Sequence, residues 1–592
     1  MTHVDGLTPE SLLRKRKGIV RELLQGGPFL DVRVAVLGSS TTNEVVDLLE
    51  VLLLQAGVRP TFHQADYNRY WEDTVLDPTA LVQFKPDVVL LHTSSGAIKN
   101  YPPMGAKDED LDGAVAEELA RYRAIWNAIL QRTTAVIVQN NFEAPLKRIL
   151  GNLDAVRPDG RARFCNRMNE AFAVASQKEP RLFIHDLAGV ASTMGLERFI
   201  DAQRWFQYKI ITTPEGSLEV ARSVAGIIRA VYGRTRKCLV LDLDNTLWGG
   251  VIGDDGADKI RIGRETAEAE AYTDFQEYCL RLHQRGILLA VCSKNNDAIA
   301  REGFQHPDAV LKLDHFAAFR ANWEPKHENL LAIARELNIG VDSLVFVDDN
   351  PAERAIVTAQ LPSVGVPDVG SDVTQFIRTV EKHRYFESVS ISREDLARAD
   401  QYAANARRAR IESTFADYGA YLASLKMEAE IGHFRPVYMD RITQLLNKTN
   451  QFNLTTRRYT AAELEQIASD SDAITLYGRL SDAFGDNGLI SVIIGRCERK
   501  VLRVESWVMS CRVLKRDMEL AMLDAVVAEA SVRGVREVHG TYLRTAKNEL
   551  VADHYEKLGF TCVERAEDGS GSAWRLELDG SYTPRNTHIK VN

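Results

Sequence analysis

Short apolar runs alternate with longer amphipathic stretches through the first 232 residues. Residues 32–37 predict a strand ending at Gly38-Ser39-Ser40, and residues 43–56 place apolar side chains at helical spacing. Residues 88–91, 135–138 and 182–184 predict further strands, the 135–138 run leading into Gln139-Asn140-Asn141. Buried parallel strands read as unbroken apolar runs, so this pattern predicts a parallel α/β sheet over residues 1–232.

A second pattern of the same kind fills residues 236–385, with strands expected at 238–243, 287–292 and 344–347. Between the first two, Tyr272, Phe275, Cys279 and Leu282 form a helical stripe over 265–283, and Gly286 stands where that helix must stop. Leu330, Ile333 and Leu337 form another stripe before Gly340. Residues 386–425 are charged and Ala-rich, the texture of a helical connector. Over 426–580 a helix at 440–448, strands at 489–494 and 501–509, a helix at 518–532 and a closing strand–helix–strand unit predict an α+β domain.

The 592 residues are too many for a single core. A content of 45% hydrophobic and 26% charged residues excludes disordered, collagen-like and disulfide-scaffold classes. Lys+Arg 73 against Asp+Glu 82 leaves −9, which gives no global electrostatic reason to bind nucleic acid or an anionic membrane. The 7 cysteines are scattered and never CxxC-paired, as expected of reduced thiols in a cytosol. Arg14-Lys15-Arg16-Lys17 interrupts any secretory signal, and the run at 48–56 contains Glu50 and is too short to span a bilayer. A cytoplasmic protein is expected.

The sharpest chemistry follows the strand at 238. Asp242-Leu243-Asp244-Asn245-Thr246 sets two carboxylates at period two, so both should face one way at the strand's carboxyl end, where ligands of parallel sheets collect. Crowded carboxylates repel unless a cation sits between them, and Mg²⁺ suits oxygen ligands. A turn with solvated aspartates is the plain alternative. Three more polar clusters follow in order: Ser293-Lys294-Asn295 after a strand, Lys326 before a helix, and Asp348-Asp349-Asn350-Pro351 after another strand.

These four pieces resemble the motifs of the haloacid-dehalogenase (HAD) superfamily of phosphotransferases: DxDxT, Ser/Thr, Lys and DD. The resemblance covers about residues 237–385 and implies roles by position. Asp242 would be the nucleophile that forms an aspartyl phosphate, and Asp244 the general acid/base. Thr246, Ser293, Lys294 and Lys326 would hold phosphate, and Asp242, Asp244, Asp348 and Asp349 would bind Mg²⁺. Only about 50 residues separate Asp242 from Ser293, which implies a Rossmann-like core without a large cap, open to a macromolecular substrate.

The longer strings Leu241–Gly256, Val291–Asn296 and Val347–Arg354 resemble the FkbH-like branch, which works beside polyketide synthases. That resemblance implies 1,3-bisphosphoglycerate as the substrate and an acyl carrier protein as the partner that receives a glyceryl unit, with loss of phosphate. An acyl phosphate must then become a thioester. Cys292, adjacent to Ser293, is the thiol candidate if a nearby cation lowers its pKa; otherwise it is a small buried hydrophobe. Cys511 is the alternative thiol, while Cys238 and Cys279 read as core.

The C-terminal section resembles the GNAT-type acyltransferase fold. Its coenzyme A loop corresponds to Arg512-Val513-Leu514-Lys515-Arg516-Asp517, where Lys515 and Asp517 replace glycines, and Asn548 and Tyr555 match GNAT positions. The first section resembles SGNH hydrolases through Ser39 and Asn140-Asn141, but Asp201-Ala202-Gln203-Arg204 lacks the histidine; His185 substitutes only if the fold brings it to Ser39. A docking domain is the plainer reading, and Arg14–Lys17 a solvated face or a contact for an acidic carrier protein. Three functions follow: a carrier-protein glyceryltransferase with phosphatase chemistry, a stand-alone Mg²⁺ phosphatase of a small metabolite, and a GNAT-type acyltransferase or assembly scaffold.

Overall fold

The computed structural model describes residues 7–27, 29–412, 414–545, 547–580 and 582–592. The chain divides into two compact units: residues up to Val231 with Thr460–Glu463, and Tyr232–Tyr459 with Leu464–Asn592.

In the first unit, β1 (Leu30–Gly38), β2 (Val58–Gln64), β3 (Val88–His92), β4 (Val136–Asn140) and β5 (Leu182–His185) form a parallel sheet in the order β2-β1-β3-β4-β5. The central strands β3 and β4 are buried throughout, as their unbroken apolar runs require. β2 is unexpected from the pattern: it is an edge strand, Val-Arg-Pro-Thr-Phe-His-Gln, and only Val58 is buried. Edge position relieves the apolar requirement and tolerates Pro60. Of the basic run, Arg14, Lys15 and Lys17 are exposed, whereas Arg16 pairs with Asp47 at 2.8 Å and Glu50 at 2.6 Å.

The second unit opens with a parallel sheet of β6 (Cys238–Leu241), β7 (Leu288–Ser293), β8 (Phe316–Ala321) and β9 (Leu344–Val347), ordered β8-β7-β6-β9. Period two sorts its two faces: Leu239, Leu241, Leu289 and Val291 pack with Trp248 and Phe275. Cys238, Val240, Ala290 and Cys292 pack instead with Leu330, Ile333 and Phe346. β8 escaped the pattern because it is a half-buried edge strand. The helix Ala267–Gln284 ends at Gly286, whose φ of +94° is left-handed; an added Cβ there would meet the Asp395 carbonyl oxygen at 1.9 Å.

Residues 386–425 hold three helices: Arg393–Leu396, Arg398–Glu412 and Tyr418–Ser424. Beyond them an eight-stranded, mostly antiparallel sheet is built from β10 (Met427–His433), β11 (Ala473–Asp482), β12 (Gly485–Glu498), β13 (Val501–Met509), β14 (Glu537–Leu543), β15 (Thr561–Arg565), β16 (Gly571–Glu577) and β17 (Ile589–Val591). β17 lies past residue 580, outside the span expected for this domain, and pairs Ile589 with Met427 of β10. The helix Met518–Val532 packs on this sheet through Met518, Met522 and Val526. Among the described residues no helix is long and apolar enough to cross a membrane.

Candidate functional site

Four connections at the carboxyl edge of the β8-β7-β6-β9 sheet bring the polar motifs together. Asp242 follows β6, Ser293 ends β7, Lys326 opens the helix Lys326–Glu336 beyond β8, and Asp348 and Asp349 follow β9. Asp242, Asp348 and Asp349 each offer an oxygen within 4.8 Å of the other two. Lys326 Nζ lies 2.9 Å from Asp242 Oδ2 and 2.5 Å from Asp348 Oδ2. Burial, then repulsion from Asp242, pushes the Asp348 carboxyl up to about 6, and the same two causes raise Asp349. The two carboxylates hold the Lys326 ammonium above its ordinary value despite burial.

The remaining oxygen decides what the group can hold. Asp242 Oδ1 is buried and accepts no hydrogen bond among the described residues. A buried, unpartnered carboxylate oxygen facing two more carboxylates is costly in protein alone and fits a hard divalent cation.

Asp244 departs from expectation. Its side chain is not in the three-carboxylate group: Oδ1 accepts from Trp248 Nε1 and the Ile252 amide, both at 3.0 Å, and Oδ2 accepts from Asn295 Nδ2 at 3.0 Å. The strand ends at Leu241, so period two does not carry through to Asp244, and Asn245 turns the chain at φ +53°. Burial raises the Asp244 carboxyl, as suits a group that carries a proton. Thr246 is buried and uses its hydroxyl on Asp349, accepting from its amide at 3.2 Å and donating to Oδ1 at 3.4 Å. Lys294 sits at the rim, 2.6 Å from Glu353. Ser293 is buried at the edge of the site.

Cys292, the thiol candidate, is sealed from solvent. It stands beside Asp242 in the neighbouring strand, yet it is 0% exposed and its Sγ lies 3.6 Å from the Lys326 carbonyl oxygen. Burial pushes its thiol up, and Asp242 and Asp348 push the same way against Lys326. Cys511 is half-buried.

The pattern missed Arg354, which is buried and donates from Nη1 to the carbonyls of Asp348 and Asp349, each at 2.7 Å, while Nη2 reaches Asp368 at 2.6 Å. Its signal was its place in the first turn of the helix that follows the acidic pair.

No family model and no curated protein matches the chain. A solved structure does: the N-terminal part of the protein BF1531 from Bacteroides fragilis, containing a phosphatase domain and complexed with Mg. The identity is 31% over 65% of this chain and 100% of that one, with a TM-score of 0.60. The chain belongs to the HAD-like phosphatase family. Further along, this HAD-like phosphatase is similar in structure to Ard1 from Thermoplasma volcanium, at 16% identity over 25% of this chain and 97% of that one, TM-score 0.21. It is also similar to the ribosomal-protein-S18-alanine N-acetyltransferase from Escherichia coli, at 12% over 26% and 99%, TM-score 0.20.

The loop at residues 512–517 is held by residues of its own unit. Lys515 and Asp517 take left-handed φ values of +64° and +60°, the geometry glycine would adopt without strain. Tyr418 donates to the Lys515 carbonyl, His588 Nδ1 lies 2.8 Å from Asp517 Oδ2, and Arg516 pairs with Asp482 at 3.1 Å. Asn548 is buried and structural, donating to Asn453 and Leu543 carbonyls at 2.9 and 2.8 Å; Tyr555 is buried as well.

In the first unit, Ser39 Oγ is buried and without a hydrogen-bond partner among the described residues. His185 does not serve it. Asn140 links the two histidines of this edge, Oδ1 to His185 Nδ1 at 2.7 Å and Nδ2 to His92 Nδ1 at 2.9 Å. β5 lies three strand spacings from β1, about 14 Å. Asp201 caps its helix by accepting from the Arg204 amide at 3.0 Å.

Proposed function

We propose that this chain is a Mg²⁺-dependent phosphatase-type enzyme that forms an aspartyl phosphate on Asp242. The observation that carries the reading is the buried, unpartnered Asp242 Oδ1 set against Asp348, Asp349 and the Lys326 ammonium. Asp242, Asp348 and Asp349 would hold the metal, which supplies positive charge beside the phosphate oxygens. Asp242 attacks phosphorus as the bond to the leaving oxygen breaks. Lys326 balances charge on the phosphoryl group, and Asp244, its carboxyl raised by burial, gives its proton to the leaving oxygen and then takes one from the attacking water.

The finer reading is that the substrate is 1,3-bisphosphoglycerate and that the glyceryl unit passes to an acyl carrier protein as a thioester, with phosphate lost. The motif strings around Asp242, Ser293 and Asp348 support it. Of the chain's two thiol candidates, Cys511 retains exposed surface and Cys292 has none. The test incubates the protein with Mg²⁺, 1,3-bisphosphoglycerate and holo carrier protein, and weighs the carrier by intact mass spectrometry. A glyceryl adduct supports transfer. Phosphate release without an adduct supports the stand-alone phosphatase.

A further inference from the structure

Cations crowd a second place in the unit that holds the phosphatase sheet. Lys237 precedes β6, Arg398 opens the helix Arg398–Glu412, Arg441 and Lys448 come from the helix Met439–Lys448, and Arg512 follows β13. All five are half-buried. Asp395 pairs with two of them, Arg398 and Lys448, whose Nζ lies 3.7 Å from its Oδ2. Glu394 faces Arg441, and Asp342 faces Lys237 but is already paired with Lys547. Among the described residues Lys237, Arg441 and Arg512 form no ion pair within 4.0 Å. Among the described residues buried Arg441 Nε and Arg512 Nη1 have no hydrogen-bond partner. Arg441 Nη1 and Nη2 donate to Gln444 Oε1 and the Leu489 carbonyl at 3.3 and 3.4 Å, and Arg512 Nε donates to Ser510 Oγ at 3.0 Å.

Such a group is unfavourable by itself. Cations sharing a poorly solvated space repel, and each unpaired guanidinium nitrogen forfeits its hydrogen bonds to water. Burial, followed by its cationic neighbours, pulls Lys448 down to about 8 and Arg441 down to about 10, although Asp395 opposes both. An anion with several oxygens answers all of these demands at once. One unpartnered guanidinium nitrogen on each of Arg441 and Arg512, beside two lysine ammoniums, suits the several oxygens of phosphate better than a lone carboxylate.

We infer that Lys237, Arg398, Arg441, Lys448 and Arg512 form a binding site for a phosphate-bearing anion, separate from the Asp242 centre. Lys237 lies at the amino end of β6 and Asp242 beyond its carboxyl end, about 16 Å apart along the strand. The site therefore stands whether or not Asp242 is a nucleophile.

The full chain, kept in EDTA, is titrated calorimetrically with inorganic pyrophosphate. Lys326→Met, which cripples the other phosphate position, is expected to bind as wild type does. Arg441→Gln combined with Arg512→Gln is expected to weaken binding at least about tenfold, the loss of one charged hydrogen bond or more. Binding lost in Lys326→Met and kept in the double variant overturns the inference. A second measurement needs no variant: Cys511, next to Arg512, is alkylated in wild type with and without pyrophosphate, with exposed Cys562 as reference. Slower labelling of Cys511 alone is expected; unchanged rates overturn the site. Replacing pyrophosphate by 4′-phosphopantetheine separates sources: tighter binding assigns the anion to a carrier arm, weaker binding to a free phosphate, and no binding of either overturns the inference.

Discussion

Lys326 Nζ stands 2.5 Å from Asp348 Oδ2 with both side chains out of water, and the same ammonium reaches Asp242. The lysine therefore does part of a metal's work. Lys326→Met leaves three carboxylates with no cation among them, so the metal-free protein is expected to lose about 3 kcal/mol. Mg²⁺ should recover more stability in this variant than in wild type, while phosphate release falls at least about a hundredfold. Thermal unfolding with and without Mg²⁺, beside a phosphate assay, reads both.

Asp242→Asn removes the nucleophile but keeps the shape. Phosphate release is expected to vanish while the variant unfolds as cooperatively as wild type. Wild-type turnover in this variant sinks the nucleophile assignment.

Arg354 fixes the backbone that carries the acidic pair, through two bonds of 2.7 Å. Arg354→Met leaves the Asp348 and Asp349 carbonyls without that donor, for a loss of about 2 kcal/mol. The half-saturating Mg²⁺ concentration for phosphate release should rise with it. An unchanged Mg²⁺ response would assign Arg354 to stability alone.

Burial of His92 holds its imidazole down to about 4, against 6.5 in an unfolded chain. At pH 7 neither state carries the proton. As pH falls below 6.5 the unfolded state takes it up and the folded state does not, so stability is lost between 6.5 and 4. The full effect is about 3 kcal/mol. Denaturant unfolding across this range should show the slope, and His92→Gln should flatten it.

Cys292→Ala tests the thiol candidate. A small cavity beneath the site is expected to lower stability by about 1 kcal/mol, with phosphate release kept within about threefold. An activity loss of several orders of magnitude in a folded variant would restore Cys292 to the chemistry.

The order of acidic, hydroxyl and basic motifs was legible because each ends a short apolar strand or opens a helix, and parallel topology does the rest. Asp242, Lys326 and Asp348 meet for that reason. Asp244 was misplaced because strand periodicity was carried two residues too far, past Leu241 and toward the turn at Asn245. Period two does place Cys292 on the face of Cys238 and Val240, under the helix Lys326–Glu336. What it cannot give is whether the end of that face is sealed. β2 and β8 were missed because edge strands need only half an apolar pattern. Arg354 was missed because the partners that matter to the site are the Asp348 and Asp349 carbonyls, which leave no trace in side-chain pattern; only its place in the first turn of the helix marks it.

Gly286 meets the Asp395 backbone with no room for a methyl group, and its carbonyl accepts from Arg398 Nη1 at 3.2 Å. A fragment excised at residue 385 would strip this seam bare, uncovering the Gly286 end of the helix Ala267–Gln284. Any attempt to isolate the phosphatase sheet should carry the Arg393–Glu412 helices along, and a bulky residue at 286 would unfasten them in the intact chain.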